Sequence, residues 1–595
     1  MPSSPVVAIA DLITYTVKVN GSAVDSTVNV HTISIENRIN RIPVCELELL
    51  DGSPDSEDFP ISDGSTFVPG NTIDIELGYE NTNTTIFSGI IVKHAIRIHK
   101  ESGPVLVITC KDKAVKMTKV RKNAYYTNKK DSDILSSVIG TYGLSADVGA
   151  TSVQQKEVIQ FYATDWDFML ARADINGMIA IVNNGKISLK TPDSLTATPL
   201  VLTYGVDIFE FEGEVDAESQ YSSVKASAWD MKGQSMLSQT AAPSNFSSGN
   251  LTTSALASTL GVSPYVLQSS GFMETDMLQS WAKAKAIKTA YSKLQGHVQF
   301  QGSALAVPGT QLELKGVGAR FNGSGFVTGI THRVADGNWI TTAELGLVNE
   351  WFTTETKVES PLAAGLLPGV QGLQIGVVKQ IDQDPDHEFR VKIDLPLVGT
   401  GGEGVWARLG NCYASSGFGA FIFPEVNDEV IVGFFNDDPR YPVILGSLYS
   451  SGRAPAFTPD DQNNTKAFVT RTKMKVEFQE DKGIITITTP KNNKAVLSDD
   501  AQSIELSDQN SNSITMSSSG IEIKSASAVN IKAATEMNLS ATSGGTYKVS
   551  GGDLSMQGLN MSCDGQLSFK AQGAASAQLT ASGEVKVQGA IVMIN

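Results

Sequence analysis

The sequence is poor in the side chains from which most active sites and metal centres are built. Six histidines and four cysteines are dispersed among 595 residues, and none stands beside a second ligand at metal-binding spacing. The motifs GxSxG, HExxH and GxxxxGKS/T do not occur in it. We therefore expect no catalytic residues, no cofactor and no bound metal, and a protein that is not an enzyme.

Long apolar runs and cysteine clusters are also missing. No stretch approaches the ~20 apolar residues of a membrane span, and the first residues lack the basic region and apolar core of a signal peptide. The sequence therefore predicts synthesis and assembly in the cytoplasm. Cys45, Cys110, Cys412 and Cys563 lie far apart and form no disulfide framework, so we expect buried free thiols.

Positive charge is scarce. The chain has 46 Lys and Arg against 63 Asp and Glu, a formal net charge of -17, and such a surface repels a polyanion. The segment from Gly376 to Ser450 alone holds eleven acidic and five basic residues. Small barrels often bind single strands in a basic groove, but this segment lacks that charge, so no nucleic-acid partner is expected.

The same segment, Gly376 to Ser450, has the pattern of short strands. Apolar residues recur at period two in Val391 to Ile393, Phe421 to Phe423 and Val430 to Val432, with Gly, Pro and Asp between them. About five strands of this length fit a small closed barrel, because closure removes the unpaired edges of short strands.

A series of short motifs runs through this predicted barrel. They are Gly376, Asp384-Pro385, Arg390-Val391-Lys392, Trp406-x-Arg408, Gly417-x-Gly419, Phe423-Pro424-Glu425, Asp428-Glu429-Val430, Asp438-Pro439, Pro442-Val443 and Gly446-Ser447-Leu448. In order and spacing they resemble the OB-fold domain of VgrG proteins, the spikes of type VI secretion and of related contractile injection machines. The resemblance implies a mainly β chain in which hub barrels, an OB-fold barrel and a trimeric β-prism follow one another.

The first 350 residues are β-rich and contain one duplication. Asn20-Gly21 after the alternating segment from Leu12 to Val19 predicts a hairpin whose second strand runs from Val28 to Ile35. Val68-Pro69-Gly70, before Ile73 and Ile75, returns as Val307-Pro308-Gly309 before Leu312 and Leu314. We expect two similar barrels; the alternative is that Pro-Gly turns simply recur before strands.

Three helices are predicted in this half, at 131–143, 165–177 and 275–294. Asp165 is expected to be the N-cap of the second helix rather than a catalytic acid. Lysines 283, 285, 288 and 293 of the third helix fall largely outside its apolar face, so they are expected in solvent.

The predicted domains are a hub barrel 1 with a helical insertion (1–190), a hub barrel 2 with the long helix (191–353), a Pro- and Gly-containing linker (354–373), the OB-fold barrel (374–452), a neck (453–490) and a needle (491–595).

The needle has an unusual composition. From Lys491 onward there is no Pro, Trp, His or Arg, and pairs of apolar residues flanking one polar residue recur every seven to ten positions. Two apolar side chains contribute about 3 to 6 kcal/mol when buried, whereas ordering eight residues costs roughly 8 to 16 kcal/mol. Such strands need facing strands from other chains, so we expect an intertwined homotrimeric β-prism (triple-stranded β-helix). Its trimer-core residues would be Ile504, Leu506, Ile514, Met516, Ile521, Ile523, Val529, Ile531, Val585 and Val587.

The resemblance implies a structural spike that caps the inner tube of a contractile injection system and pierces the target envelope. It also implies tube and baseplate proteins as partners, possible effectors, a transient contact with the target membrane, and delivery or release outside the cell. Type VI secretion, an extracellular particle and a phage all fit the sequence. The alternative function is a trimeric tail fibre or adhesin with a β-prism stalk.

A separate tip protein is also expected. Since an apolar strand leaves an exposed edge, a PAAR-like tip protein is expected to dock on Ile591, Val592, Met593, Ile594 and Asn595.

Overall fold

The computed structural model describes residues 3–6, 12–100, 103–399 and 402–594. The chain is mainly β, as expected, and divides into two compact units, Met1–Leu448 and Tyr449–Asn595. No helix among the described residues is long and apolar enough to cross a membrane.

The first part of unit 1 contains seven strands and a short 3-10 helix. The strands are β1 (Ile13–Val19), β2 (Ser22–Ala23), β3 (Val30–Arg38), β4 (Val44–Leu50), β5 (Thr72–Tyr79), β6 (Thr82–His99) and β7 (Gly103–Lys111), and the 3-10 helix η1 is Lys113–Thr118. Their alternating apolar residues bury one face of the sheet, where Ile33, Leu47, Ile75 and Leu106 are fully enclosed.

The predicted Asn20-Gly21 turn is present, with positive φ at both residues. Its predicted partner strand is wrong. β1 pairs along its whole length with β5, while β3 pairs with β4 and with the later strand Gly323–Ala335. The turn connects only to the two residues of β2, because the buried alternating residues of β5 provide the longer partner.

A helical insertion follows. It comprises β8 (Arg121–Lys130), α1 (Asp131–Gly140), β9 (Ser145–Val148), β10 (Gln154–Thr164), α2 (Asp165–Ile175), β11 (Ile179–Asn183), β12 (Lys186–Lys190) and the 3-10 helix η2 (Pro192–Ser194). The two predicted helices are confirmed, and α1 buries Ile134, Leu135, Val138 and Ile139 as its periodicity indicated.

The second part of unit 1 is built around another set of strands and the long helix. It comprises β13 (Leu200–Thr203), β14 (Ile208–Val215), β15 (Val224–Asp230), β16 (Ser235–Ala241), α3 (Thr253–Leu260), β17 (Tyr265–Ser269), α4 (Thr275–Tyr291), β18 (Leu294–Gln301), β19 (Gln311–Lys315), β20 (Gly323–Ala335), β21 (Asn338–Leu345), α5 (Phe352–Glu355) and the 3-10 helix η3 (Leu362–Gly365). The predicted third helix is therefore confirmed as α4.

All seven strands of the first part and six strands of the second part, β13, β14 and β18 to β21, form one continuous thirteen-stranded sheet, whereas β15, β16 and β17 form a separate three-stranded sheet. The two parts join where β3 pairs antiparallel with β20, from Arg38 opposite Gly329 to Thr32 opposite Ala335.

The duplicated turns have the same hydrogen bonds. The amide of Gly70 donates to the carbonyl of Ile91, and the amide of Ile91 donates to Asn71, both at 2.9 Å. In the second copy Gly309 and Thr310 make the same pair of bonds with Val327, also at 2.9 Å. Both glycines have positive φ, which a side chain would strain. The turn and the strand after it are therefore repeated.

The predicted small barrel is confirmed as a closed ring of five strands in the order β22-β23-β24-β28-β27. The strand predicted at Phe421 to Phe423 is wrong, because these residues lie outside strands and Phe421 and Ile422 are exposed. Its strands are β22 (Gln374–Gln380), β23 (Val391–Asp394), β24 (Val405–Leu409), β27 (Glu429–Phe434) and β28 (Pro442–Ser447), with a small hairpin, β25 (Ala414–Ser415) and β26 (Phe418–Gly419), and the 3-10 helix η4 (Phe435–Asp437).

Unit 2 contains one antiparallel seven-stranded sheet whose strands pair in chain order. The strands are β29 (Thr465–Val469), β30 (Lys475–Gln479), β31 (Ile484–Thr488), β32 (Lys494–Ser498), β33 (Ser503–Ser507), β34 (Ser513–Ser517) and β35 (Gly520–Lys524). Residues 525–594 contain no strand.

Candidate functional site

One face of the seven-stranded sheet is apolar except for Lys466, which lies opposite Phe478 at the β29 end of the sheet. Since alternate residues of a strand point to the same face, the register produces two parallel rows of side chains. One row is Phe468, Val476, Ile487, Ala495, Leu506, Ile514 and Ile523; the other is Phe478, Ile485, Leu497, Ile504, Met516 and Ile521.

The opposite face carries mostly polar side chains. Its central row is Ala467, Glu477, Thr486, Val496, Glu505, Thr515 and Glu522. Near the two ends of this row, the Lys475 ammonium lies 2.6 Å from the Glu477 carboxylate, and the Lys524 ammonium lies 3.0 Å from the Glu522 carboxylate. This face suits water, and the apolar face does not.

Most of the apolar face is uncovered by the described residues of the chain, whereas Val476, Phe478, Ile485 and Ala495 are half-buried. Phe468 and Ile521 are both 71% exposed, and Leu497, Leu506 and Met516 are exposed as well. A contiguous exposed apolar surface of this kind marks an interaction site in a soluble protein.

The structure brings together six of the ten residues predicted to form a trimer core: Ile504, Leu506, Ile514, Met516, Ile521 and Ile523 share this face. It does not bring the other four together. Val529, Ile531, Val585 and Val587 are exposed and lie outside strands. The predicted docking residues Ile591, Val592, Met593 and Ile594 are likewise exposed, and Asn595 lies outside the described residues.

The beginning of this surface was not predicted from the sequence. Four of its strands, β29 to β32, lie at or before Ser498, largely in the segment taken as a neck. The signal was present, because Val476 and Phe478, and Ile485 and Ile487, flank one residue each just as the later pairs do.

Tight polar turns hold the register of the strands. In the turn from Asp508 to Asn512, one oxygen of the Asp508 carboxylate accepts from the amides of Asn510 and Asn512 at 2.8 and 2.9 Å, and the other accepts from the Asn512 side chain at 2.8 Å. The Asn512 side chain and the two amides stabilise the ionised form, so the pKa of Asp508 is lowered. A one-residue slip would move the apolar rows to the polar face.

Unit 1 contains a polar cluster around Asp165, and the predicted role of this residue is wrong. The N-cap of α2 is Thr164, whose hydroxyl accepts from the amide of Asp167 at 3.0 Å. The Asp165 carboxylate instead accepts from Lys122 at 2.6 Å, from Tyr142 at 2.7 Å and from Gln160 at 2.8 Å. The cluster connects α2 to β8 and β10.

Two of the lysines that were expected in solvent are buried: Lys285 on α4, and Lys293 just after the end of this helix. Lys285 is 2% exposed and Lys293 3% exposed. Lys285 donates to the carbonyl of Asn349 at 2.7 Å, and its ammonium lies 5.2 Å from the centre of the Tyr265 ring. Burial lowers the pKa of both lysines. The tertiary structure encloses Lys285, outside the apolar face of the helix, while Lys283 remains exposed, and the periodicity could not distinguish the two.

The four cysteines divide into two kinds. Cys45 and Cys110 are buried opposite each other on β4 and β7, as free thiols, and burial raises the pKa of both. Cys412 and Cys563 are exposed, so the expectation of burial is wrong for these two. Among the described residues no three His, Cys, Asp or Glu side chains are grouped so as to hold a metal ion.

Three family models match the chain. Residues 9–336 match the Alg8 N-terminal domain, residues 374–449 match the type VI secretion system/phage-baseplate injector OB domain, and residues 484–543 match the phage baseplate V C-terminal trimerisation domain. The last match covers strands β31 to β35 and thus most of the apolar face.

Curated relatives match over a short stretch. The chain is 32% identical over 99 residues to the actin cross-linking toxin VgrG1 of Vibrio cholerae, which is 16% of this chain and 9% of the toxin. It is 32% identical over 114 residues to the type VI secretion system spike protein VgrG3 of the same species, 18% of this chain and 10% of that protein. The matched stretch thus spans about a tenth of these relatives.

Solved structures of tail proteins are similar over more of the chain. The 43 kDa tail protein of prophage MuSo2 from Shewanella oneidensis has 12% identity and a TM-score of 0.43, covering 57% of this chain and 99% of its own. The E. coli c3393 protein, a component of the type VI secretion system, has 15% identity and a TM-score of 0.37. The match covers 73% of this chain and 99% of the c3393 chain.

Proposed function

Because the chain belongs to the VgrG-like spike proteins of contractile injection systems, with residues 9–336 in the Alg8 N-terminal domain family, we propose that it works as a homotrimeric spike. In this proposal it caps the inner tube of such a machine and pierces the target envelope. It acts mechanically and carries out no catalysis. The uncovered apolar face of β29–β35 carries the proposal.

The number of copies follows from the shape of that face. A five-residue strand presents only two apolar side chains to one side, so the face is a narrow strip seven strands long. Two strips packed face to face would leave their long edges in water. Three strips can close a triangular prism with all apolar rows inside, and each buried Leu, Ile or Phe contributes about 1.5 to 3 kcal/mol.

A closed prism would also be stiff. Each chain supplies a sheet with its own backbone hydrogen bonds from β29 to β35, and from Lys491 onward no proline interrupts it. In the tail from Ser525 to Ile594, strands would form only when three chains combine, because the described tail of a single chain has none. The first part of the prism is therefore three self-paired sheets, and the second is intertwined.

The hub would connect this needle to the tube. Three copies of a chain with a repeated turn and strand yield six related elements, which suits a three-fold spike on a six-fold tube. Tube and baseplate proteins are the proposed partners of the hub, and effectors are proposed as cargo.

A PAAR-like tip protein is proposed to dock on the exposed apolar residues Ile591, Val592, Met593 and Ile594. Pull-down with the candidate tip protein tests this, using the full chain and a version that lacks residues 589–595. Equal retention by both would contradict the docking proposal and leave the trimer proposal untouched.

Light scattering tests the trimer itself. The full chain is expected to have three times the monomer mass, and a version without residues 465–595 is expected to be a monomer or a weakly associated form. Deleting only residues 503–595 removes three of the seven strands and should weaken the trimer. A stable trimer after the longer deletion would mean that the hub holds the copies together, and the argument from the apolar face would be wrong.

A further inference from the structure

The segment from Lys111 to Lys130 has a charge opposite to that of the rest of the chain. It contains eight basic residues and one acidic residue: Lys111, Lys113, Lys116, Lys119, Arg121, Lys122, Lys129 and Lys130, against Asp112. It contributes +7 to a formal net charge of -17, so the other residues together carry -24. Neither the proposed trimer nor the proposed needle uses this segment.

Three of these lysines are aligned by the 3-10 helix η1. Side chains three residues apart eclipse in a 3-10 helix, so Lys113, Lys116 and Lys119 follow one side of it, and all three are exposed. The other side of η1 buries Ala114, Val115 and Met117.

The basic residues continue along an open ribbon of two strands. β8 pairs with β10, and neither strand has a second strand partner among the described residues. Within that part of the chain Lys113, Lys116, Lys119, Lys129 and Lys130 form no ion pair, whereas Lys122 contacts Asp165. Unpaired ammonium groups therefore lie at both ends of β8, which is about 30 Å long.

Large apolar side chains occupy the middle of the ribbon. Tyr125 lies opposite Ile159 in the register, and Phe161 follows on β10. All three are exposed, Tyr125 at 81%. The other face of the ribbon, with Tyr126 and Val158, packs on the core.

We propose that η1 and the β8–β10 ribbon are a docking surface for an extended acidic segment of a partner protein. The segment would add as a third strand along the free edge of β8. Its carboxylates would meet the lysines at both ends, and its apolar side chains would cover Tyr125, Ile159 and Phe161. The surface lies within unit 1 and does not depend on trimer formation.

The charge distribution favours a short acidic protein segment over nucleic acid. A polynucleotide longer than the ribbon would run onto surfaces that carry the net -24 of the remaining chain, and repulsion there acts over a Debye length of about 8 Å. A segment of about ten residues would end with the ribbon. The open strand edge also offers backbone donors and acceptors that suit another peptide backbone.

Fluorescence anisotropy with the full chain tests the proposal. The probe is a labelled ten-residue peptide of alternating Glu and Val; the comparison probes are a Lys and Val peptide, a ten-nucleotide thymidine oligomer and vesicles of phosphatidylcholine with phosphatidylserine. The acidic peptide is expected to bind, and to bind more weakly as salt is raised. No binding of that peptide, or tighter binding of the oligonucleotide or the vesicles, would overturn the proposal.

Two variants of equal net charge distinguish binding at this site from attraction by the overall charge of the protein. The triple variant Lys116→Glu, Lys119→Glu and Lys129→Glu is expected to weaken peptide binding by at least about tenfold. The triple variant Lys100→Glu, Lys232→Glu and Lys283→Glu changes exposed lysines elsewhere and should change binding less than about twofold. Equal losses in both variants would mean that the attraction is not local.

Hydrogen exchange tests the mode of docking. Addition of a third strand should slow amide exchange in β8 when the acidic peptide is bound, and Tyr125→Ser together with Phe161→Ser should reduce that protection. Unchanged exchange in β8 despite peptide binding would overturn the strand-addition model.

Discussion

Ile514 and Ile523 lie directly opposite each other on β34 and β35, and both side chains are exposed. A cross-strand pair of β-branched residues is common in sheets, but here it forms an outward-facing layer with nothing above it in the described chain. The pair belongs to a row of seven apolar residues, of which all but Val476 and Ala495 are exposed, so the exposure extends from β29 to β35.

The apolar face should be intolerant of charge. Ile523→Asp would bury three carboxylates near the axis of a trimer, and each unpaired polar group costs roughly 2 kcal/mol or more. We expect the trimer dissociation constant to rise by about 100-fold or more, measured by sedimentation at several concentrations. Lys524→Asp is the control, since Lys524 is exposed and contacts only Glu522; a similar loss in that variant would count against the assignment of the faces.

The buried lysine of α4 should be needed for stability. Lys285→Ala removes its packing against Tyr265 and leaves the carbonyl of Asn349 without its donor, so we expect the free energy of unfolding to fall by about 2 to 4 kcal/mol. Lys283→Ala, two residues away and exposed, should change it by less than about 0.5 kcal/mol. Denaturant unfolding measures both, and equal values would show that Lys285 is not enclosed in solution.

Acid should destabilise the hub through His332. This ring is buried, and its Nδ1 accepts from the Trp339 indole N–H at 3.2 Å and lies 2.9 Å from the Thr341 hydroxyl. Burial lowers the pKa of His332 to about 3, while in the unfolded chain it is about 6.5. The unfolded state therefore binds a proton first, and stability is lost as pH falls from about 6.5 toward 3.

The expected loss is about 1.4 kcal/mol per pH unit in that window. Thermal unfolding of the chain and of His332→Gln, at pH 7.5 and 5, measures it: the variant should lose less on acidification because position 332 no longer titrates. Other carboxylates and histidines contribute to both proteins and cancel in the difference. Parallel losses in the two proteins would contradict this role of His332.

Gly376 should be required by the five-stranded barrel. A Cβ at this position would lie 2.8 Å from Val432 Cγ2 and 3.2 Å from Ile393 Cδ1, and both of those residues are fully buried. Gly376→Val should therefore destabilise the barrel by about 1 to 3 kcal/mol. Gly446→Val is the control, because a Cβ there meets no atom within 4 Å. Unfolding followed by Trp406 fluorescence compares the two, and a neutral Gly376→Val would show that the barrel can expand.

The sequence predicted those elements that are determined by residues close together in the chain. The faces of α1 and the strands of the barrel follow from apolar spacing, and the glycine turns at Gly70 and Gly309 follow from backbone conformation. Pairing was not predictable in the same way. β1 has a suitable turn beside it, yet its partner β5 lies some fifty residues away, and only the shared core of the sheet decides between them.

The burial of individual side chains was also not predictable from the sequence. Lys285 is a charged residue on a helix, and it is buried because Tyr265 and Asn349, which lie in other segments of the chain, pack against it. In the apolar face the reverse holds. Ile504 and Leu506 were predicted to be inside, and the pattern places them correctly on one face, but the chain alone supplies nothing to cover them.

The β3–β20 pair determines how the hub responds to force. Seven consecutive residues of each strand are in register there, so the two halves of unit 1 are joined by a hydrogen-bonded ladder rather than by a flexible segment. A force along the strands acts on all the hydrogen bonds between β3 and β20 at once, as shear. A force across the strands breaks these hydrogen bonds one at a time. Unit 1 therefore resists sliding of its two halves far better than peeling, and the ladder leaves no hinge between β3 and β20.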